Sequence, residues 1–344
     1  MGTIIKAMRV ITSLGITIIL VLFGLTGCGT GSEGVPGSTG EDNREGQLSI
    51  VTTIFPEYDW VMQVLGDRAA ETDVTLLLDD GVDPHSFQPA AQDIMKVSSC
   101  DVFIYVGGES DFWVDDALKE SVNPDRKDLR LMNELEDRIL EEELVEGMEP
   151  ADEEEAGQAA EGEEEPEADE HIWLSLPLAQ TSVQAIARTL GEADPDHAAE
   201  YAANADAYCE ELAALDADYD EMIGTAARKT ILVGDRFPFL YMAKEYGLTY
   251  YAAFQGCSAE TEAGFSTIAF LAKKVDEMNL PCVLTLEASD QSIARTIVES
   301  TSSKDQQILR LNSMQTVTGR DADAGMSYIS IMKENLEVLK TALN

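Results

Sequence analysis

Two short segments of this chain set a carboxylate beside a histidine and an aromatic two residues further on: Asp83-Pro84-His85-Ser86-Phe87 and Asp169-Glu170-His171-Ile172-Trp173. The chain has only three histidines, and two of them share this setting. A carboxylate next to an imidazole fixes the ring and the tautomer, leaving one nitrogen to coordinate a metal. The segments lie 86 residues apart, which suggests one metal site assembled from distant loops. A packed loop histidine is the other reading of each, and the residues alone leave both open. The third, His197 in Asp194-Pro195-Asp196-His197, stands among capping residues and reads as an exposed first-turn residue.

Such loops need a framework. At 344 residues the chain can bury a sizeable core and is long enough for two domains. Residues 1–28 are set aside first. Lys6 and Arg9 precede an apolar run from Val10 to Leu25, followed by Leu25-Thr26-Gly27-Cys28. This is the pattern of an export signal. Its ending resembles a bacterial lipobox, which implies cleavage before Cys28 and lipidation of the Cys28 thiol. The run is shorter than the roughly 20 residues that span a bilayer. Residues 29–47 are rich in Gly, Ser and Thr and read as a flexible tether. The expected location is extracytoplasmic, lipid-anchored to the outer face of the bacterial cell membrane.

The net charge of −42 argues against nucleic acid as a partner, because no basic stripe is available to neutralise phosphates. Much of the acid is concentrated between Glu134 and Glu170. Residues from about 145 to 168 are expected to form a solvated, disordered insertion leading into His171. Cys100, Cys209, Cys257 and Cys282 are scattered singly and establish no disulfide framework. Cys100 and Cys282 read as buried thiols, whereas Cys257 alone lies near candidate chemistry.

β-Branched runs at Leu48–Phe55, Val74–Leu78 and Val102–Val106 predict strands, with helical patterns between them. The alternation resumes with strands at Thr230–Val233, Leu248–Tyr251, Cys282–Leu286 and Ile308–Leu311, and a closing helix over Tyr328–Leu343. Between the halves, Tyr201, Ala205, Tyr208, Leu212, Leu215 and Tyr219 recur at helical spacing within one long helix. The expectation is an α/β protein: two lobes with mostly parallel sheets flanked by helices, joined by one long rigid helix. The lobes would cover residues 48–194 and 228–344, with the linking helix over 195–227.

Five segments then carry a family resemblance: Val51-Thr-Thr-Ile-Phe-Pro56, Asp83-Pro-His-Ser-Phe-Gln-Pro89, Tyr105-Val-Gly-Gly108, His171-Ile-Trp-Leu-Ser175 and Glu245-Tyr-Gly-Leu248. In that order the chain resembles the metal-binding lipoproteins of bacterial ABC importers for zinc and manganese, the cluster A-I substrate-binding proteins. The resemblance implies two α/β lobes on a rigid helix, a metal in the cleft between them, and an ABC permease and its ATPase as partners. It implies that His85 and His171 are metal ligands from the N-terminal lobe.

The second lobe departs from the family pattern. Arg236 stands where the resemblance expects a third histidine or a glutamate, and a guanidinium has no lone pair to give. Asp235 beside it is a candidate ligand, or else an ion-pair or capping residue. Asn312 and Gln315 match the last ligand loop, and Gln315 is the candidate there. Glu260, with Glu262 nearby, and Glu287 at a predicted strand end are the acids that could complete the shell. The expected site is therefore two imidazoles plus oxygen donors, with Zn2+ favoured and Mn2+ the alternative. A surface metallohydrolase is the rival reading, though no H-E-x-x-H motif is present. An adhesin or structural lipoprotein with a stabilising metal is a third.

Overall fold

The computed structural model describes residues 47–119, 121–149, 167–258 and 262–344. The export signal, Cys28, the tether to residue 46 and Glu260 lie outside the described residues.

Ser49-Ile50-Val51-Thr52 forms the central strand β1 (Ser49–Thr52). The predicted strand ran to Phe55, but the chain turns earlier. The Glu57 carboxylate accepts from the Thr53 and Ile54 N–H groups and the Thr53 hydroxyl, at 2.9, 3.2 and 2.9 Å, and so starts helix α1 (Phe55–Leu65). The first lobe continues through β2 (Asp73–Leu76), α2 (Ala91–Ser99), β3 (Val102–Tyr105), α3 (Val114–Lys119) and β4 (Lys127–Arg130). All four strands are parallel, in the order β2-β1-β3-β4. Strand β4, Lys-Asp-Leu-Arg, was not predicted. It lies at a sheet edge with only Leu129 buried, so it carries no apolar periodicity to read.

Helix α4 (Leu176–Ala193) returns the chain to the long helix α5 (Ala198–Thr225). At 1.5 Å per residue its 28 residues span about 42 Å. Its buried stripe is Tyr201, Ala205, Tyr208, Leu212, Leu215, Tyr219 and Ile223, the apolar face read from the sequence with one further turn. The tyrosines on this face also supply polar anchors. The Tyr208 hydroxyl donates to Asp59 of α1 at 3.1 Å, and that of Tyr219 donates to the Met332 carbonyl at 2.6 Å.

The second lobe comprises β5 (Thr230–Phe237), α6 (Leu240–Glu245), β6 (Thr249–Gln255), α7 (Phe265–Met278), β7 (Cys282–Thr285), α8 (Ser292–Ser300), β8 (Gln307–Arg310), α9 (Gly319–Asp323) and α10 (Tyr328–Leu343). Its parallel order, β6-β5-β7-β8, repeats that of the first lobe. In open parallel sheets of this kind ligands collect outside the carboxyl ends of the strands, where the strand order reverses. Strand β5 exceeds its predicted end by four residues. An irregularity between Val233 and Arg236 re-aims the strand, and pairing with β6 resumes at Arg236 and Phe237.

One apolar core runs through both lobes, from Trp60 and Phe103 to Tyr246 and Leu339. The acidic insertion was expected to be solvated from about 145 to 168, but its edges are ordered. Met148 is buried, the Glu149 N–H donates to the Ala253 carbonyl at 3.0 Å, and Glu141 pairs with Ala168. Residues 150–166 lie outside the described residues. Among the described residues no helix is long and apolar enough to cross a membrane.

Candidate metal centre

His85 lies in a single helical turn, Pro84–Ser86, in the loop after β2. Asp83 Oδ1 accepts from the His85 backbone N–H at 3.1 Å and lies 2.8 Å from its ring Nδ1. The same device recurs at the second histidine. Asp169 Oδ1 accepts from the His171 backbone N–H at 2.8 Å and lies 3.0 Å from its Nδ1. A carboxylate two residues upstream thus closes a local ring in both segments and keeps the Nδ1 proton. That puts the ring lone pair on each Nε2.

The two imidazoles meet, with ring centroids 5.6 Å apart. Trp173 packs against His171 with centroids 5.1 Å apart, and its Nε1 donates to the Ser313 carbonyl of the other lobe at 2.8 Å. The Tyr241 hydroxyl, also from the second lobe, donates to the Asp169 carbonyl at 2.7 Å. His171 is fully buried. The His85 side chain is 6% exposed, and its Nε2 has no hydrogen-bond partner among the described residues. Glu170 Oε1 lies 3.4 Å from that nitrogen.

Glu170 and Cys257 complete the cluster. One donor atom from each of His85, Glu170, His171 and Cys257 can be chosen so that all four lie within 4.8 Å of one another. The Glu170 carboxylate is buried and is aimed by Ser110, whose N–H donates at 2.8 Å and whose hydroxyl also donates. This approach needs Gly108, because a Cβ there would sit 2.2 Å from that of Glu170. Cys257 follows β6, and its N–H donates to Glu142 Oε1 at 2.9 Å. Gly256 before it lets the strand end reach the histidine, since a Cβ there would lie 3.2 Å from His171 Cε1. Sequence reading placed Glu170 only as a flanking acid and gave Cys257 a minor part. The signal for Glu170 was adjacency to His171, whereas Cys257 lies six positions beyond the predicted strand Leu248–Tyr251 and is brought to the site because β6 runs on to Gln255.

The remaining second-lobe candidates are placed differently. Gln315 reaches the cluster, with its Nε2 3.1 Å from His171 Nε2 while its Oε1 accepts from Ser313 and Arg236. Glu287, expected as a donor, instead braces that loop. Its oxygens accept from the Ser313 N–H and hydroxyl and the Gln315 N–H at 2.9, 2.8 and 3.2 Å. Asp235 Oδ1 accepts from the Arg236 N–H at 3.0 Å, and Asp235 stands outside the four-residue cluster. Glu262 is exposed. Arg236 forms an ion pair with Asp83 and donates to the Ser258 carbonyl at 3.4 Å. Its guanidinium therefore spans the cleft, tying the second lobe to the carboxylate that orients His85.

The local field suits a cation. Burial, and then the neighbouring His171 charge, hold the His85 imidazole below its ordinary pKa. Burial also acts downward on His171, but Asp169, Glu170 and Glu142 outweigh it and leave the group raised. Burial, followed by Glu170, Glu142 and Asp169, pushes the Cys257 thiol well up. Imidazole, carboxylate and sulfur donors at such separations form a set that a tetrahedral divalent ion can draw together.

Comparison with known proteins gives a consistent result. The family model described as the periplasmic zinc-uptake complex component A, ZnuA, matches residues 50–342. The chain is 32% identical over 302 residues to the zinc-binding lipoprotein AdcA of Streptococcus pneumoniae, covering 87% of this chain and 56% of that protein. It therefore spans little more than half the length of these relatives. It is 30% identical over 302 residues to the high-affinity zinc uptake system protein ZnuA of Bacillus subtilis, covering 88% of this chain and 89% of that one. Among solved structures, the Zn(II)-bound ZnuA-like domain of S. pneumoniae AdcA superposes with a TM-score of 0.67. The identity is 29%, with 87% of this chain and 99% of that domain covered.

Proposed function

The chain belongs to the family of the periplasmic zinc-uptake complex component A, and from that premise we propose that it is the metal-binding subunit of an ABC importer. It captures one Zn2+ between its lobes and hands it to a membrane permease driven by an ATPase. The observation that carries the reading is the buried Nε2 of His85, without a hydrogen-bond partner among the described residues and clustered with the donor atoms of Glu170, His171 and Cys257. An orphaned nitrogen in a buried site is costly unless an ion completes it. Zinc is preferred to manganese because imidazole nitrogens form the base of the site.

The protein's part is capture and presentation, not catalysis. The Asp83 and Asp169 carboxylates hold the two rings in the coordinating tautomer, and Trp173 with the Ser313 carbonyl seals the cleft. Helix α5 packs against both lobes and limits opening to a modest rearrangement. Delivery depends on the permease meeting a surface that differs between the loaded and empty states. Acylation at Cys28 would keep the protein at the outer face of the membrane beside that permease, as the name of the pneumococcal lipoprotein suggests.

Calorimetric titration of the purified protein tests the capture step. Zinc should bind at one site per chain, and His85→Ala or His171→Ala should abolish tight binding. If both variants bind as the wild type does, the reading is wrong. Acylation is checked by radiolabelled palmitate, whose incorporation should vanish in Cys28→Ala.

A further inference from the structure

Arg236 poses the question of what completes the metal shell, because it fills the place of a third nitrogen donor and cannot donate. Its charge is already matched by Asp83. Two other donors lie where the shell is open. Glu170 is next to His171 in sequence, and Oε1 of its Ser110-aimed carboxylate lies 3.4 Å from His85 Nε2. Cys257 lies at the carboxyl end of β6, the strand hydrogen-bonded to β5, and so arrives at the cleft beside the position that Arg236 has vacated for chemistry.

Resting on the metal-binding reading above, we infer that Glu170 and the Cys257 thiolate complete the zinc shell, giving a two-histidine, one-carboxylate, one-thiolate site. Three features of the cluster support this set. Zinc bonds of about 2.0–2.3 Å place tetrahedral donors about 3.3–3.8 Å apart, so atoms already within 4.8 Å need only small movements. The donor charges match the ion, since one carboxylate and one thiolate neutralise a divalent cation, and the nearby Asp169 and Glu142 carboxylates add a field that favours a cation further. Both donors also have fixed backbones. Glycine at 108 and at 256 permits their approach, and Glu142 holds the Cys257 N–H.

On binding, a Zn–S bond forms and the thiol proton leaves to solvent. A thiolate is a soft donor, so Cys257 gives this site a preference for zinc over manganese that two imidazoles and oxygens alone would not. The substrate class narrows accordingly to thiophilic divalent ions.

Cobalt(II) is the probe, because it enters tetrahedral zinc sites and reports its ligands by absorption. Titrated into the purified full chain, it should give intense visible d–d bands together with a near-ultraviolet sulfur-to-cobalt charge-transfer band. Cys257→Ser should lose the charge-transfer band and keep the visible ones. Glu170→Gln should keep the charge-transfer band and weaken zinc binding by about 10–100-fold. Tetrahedral visible bands without charge transfer in the wild type would overturn the thiolate assignment and leave the histidine reading standing. No cobalt or zinc uptake at all would overturn both. Unchanged zinc affinity in Glu170→Gln would remove Glu170 from the shell. The wild-type spectrum decides the sulfur question even if a variant fails to fold.

Discussion

Arg236 of the second lobe is ion-paired with Asp83 of the first, the same carboxylate that orients His85. One acid therefore serves two groups: a permanent guanidinium and the imidazole it positions, which on the proposed function binds the ion. The pair also cancels the charge of an arginine beside the candidate metal cluster.

Replacing Arg236 by Ala should lower the thermal stability of the empty protein. Both side chains are largely buried, so the cost falls between the ~1 kcal/mol of an exposed pair and the ~3–5 kcal/mol of breaking a buried one. That corresponds to a loss of several degrees in Tm. Zinc should stabilise the variant more than the wild type, because the ion supplies the charge that Asp83 has lost. Melting curves with and without zinc measure both; equal zinc shifts would refute the coupling.

Protons compete with zinc for His171. Its pKa is raised by Asp169, Glu170 and Glu142 in spite of burial, so zinc affinity should fall as pH drops through that raised value. Asp169→Asn removes the largest upward influence together with the Nδ1 acceptor charge. The variant should bind zinc about 10–100-fold more weakly near neutral pH and lose affinity at a lower pH than the wild type. Titrations across a pH series would show either effect, and an unchanged profile would count against the role of Asp169.

Two other carboxylates contribute to the pH dependence of stability. Burial pushes Asp59 up to about 6 and Asp111 up to about 7, against about 3.9 in an unfolded chain. The folded state thus binds more protons between those values, and its stability falls as pH rises from about 4 to 7. Above that window the penalty is complete. Asp59→Asn, which still accepts from Tyr208, should raise Tm at about pH 8 by an amount equivalent to roughly 2–3 kcal/mol and by about half as much at about pH 5. A variant melting equally below the wild type at both would refute the assignment.

Glu287 acts through the loop it staples. That loop holds Met314 at a φ of 65°, a costly conformation for a residue with a side chain. Asn335 clamps Asn312 from the other side at 2.8 Å. Glu287→Ala leaves the Ser313 and Gln315 donors unpaired and should cost about 1–3 kcal/mol of stability. Its zinc affinity should fall far less than that of His85→Ala. A loss as large as the histidine variant's would make Glu287 a direct ligand.

The sequence by itself determined the features that depend on neighbours along the chain. The Asp-x-His device closes within three residues, so both histidines were legible as candidates for a metal, with the packed-loop reading left open. The stripe on α5 follows a fixed helical period and was read nearly residue for residue; the strand–helix alternation of both lobes was read as well, apart from β4 and several strand ends. Tertiary structure decided what joins across the cleft. Arg236 meets Asp83 across 153 positions, and Cys257 approaches His171 across 86. These meetings depend on where β5 bends, on where β6 ends and on a glycine short enough to let them touch. No local pattern encodes those distances, because they arise only when two separately folded sheets are packed onto one helix.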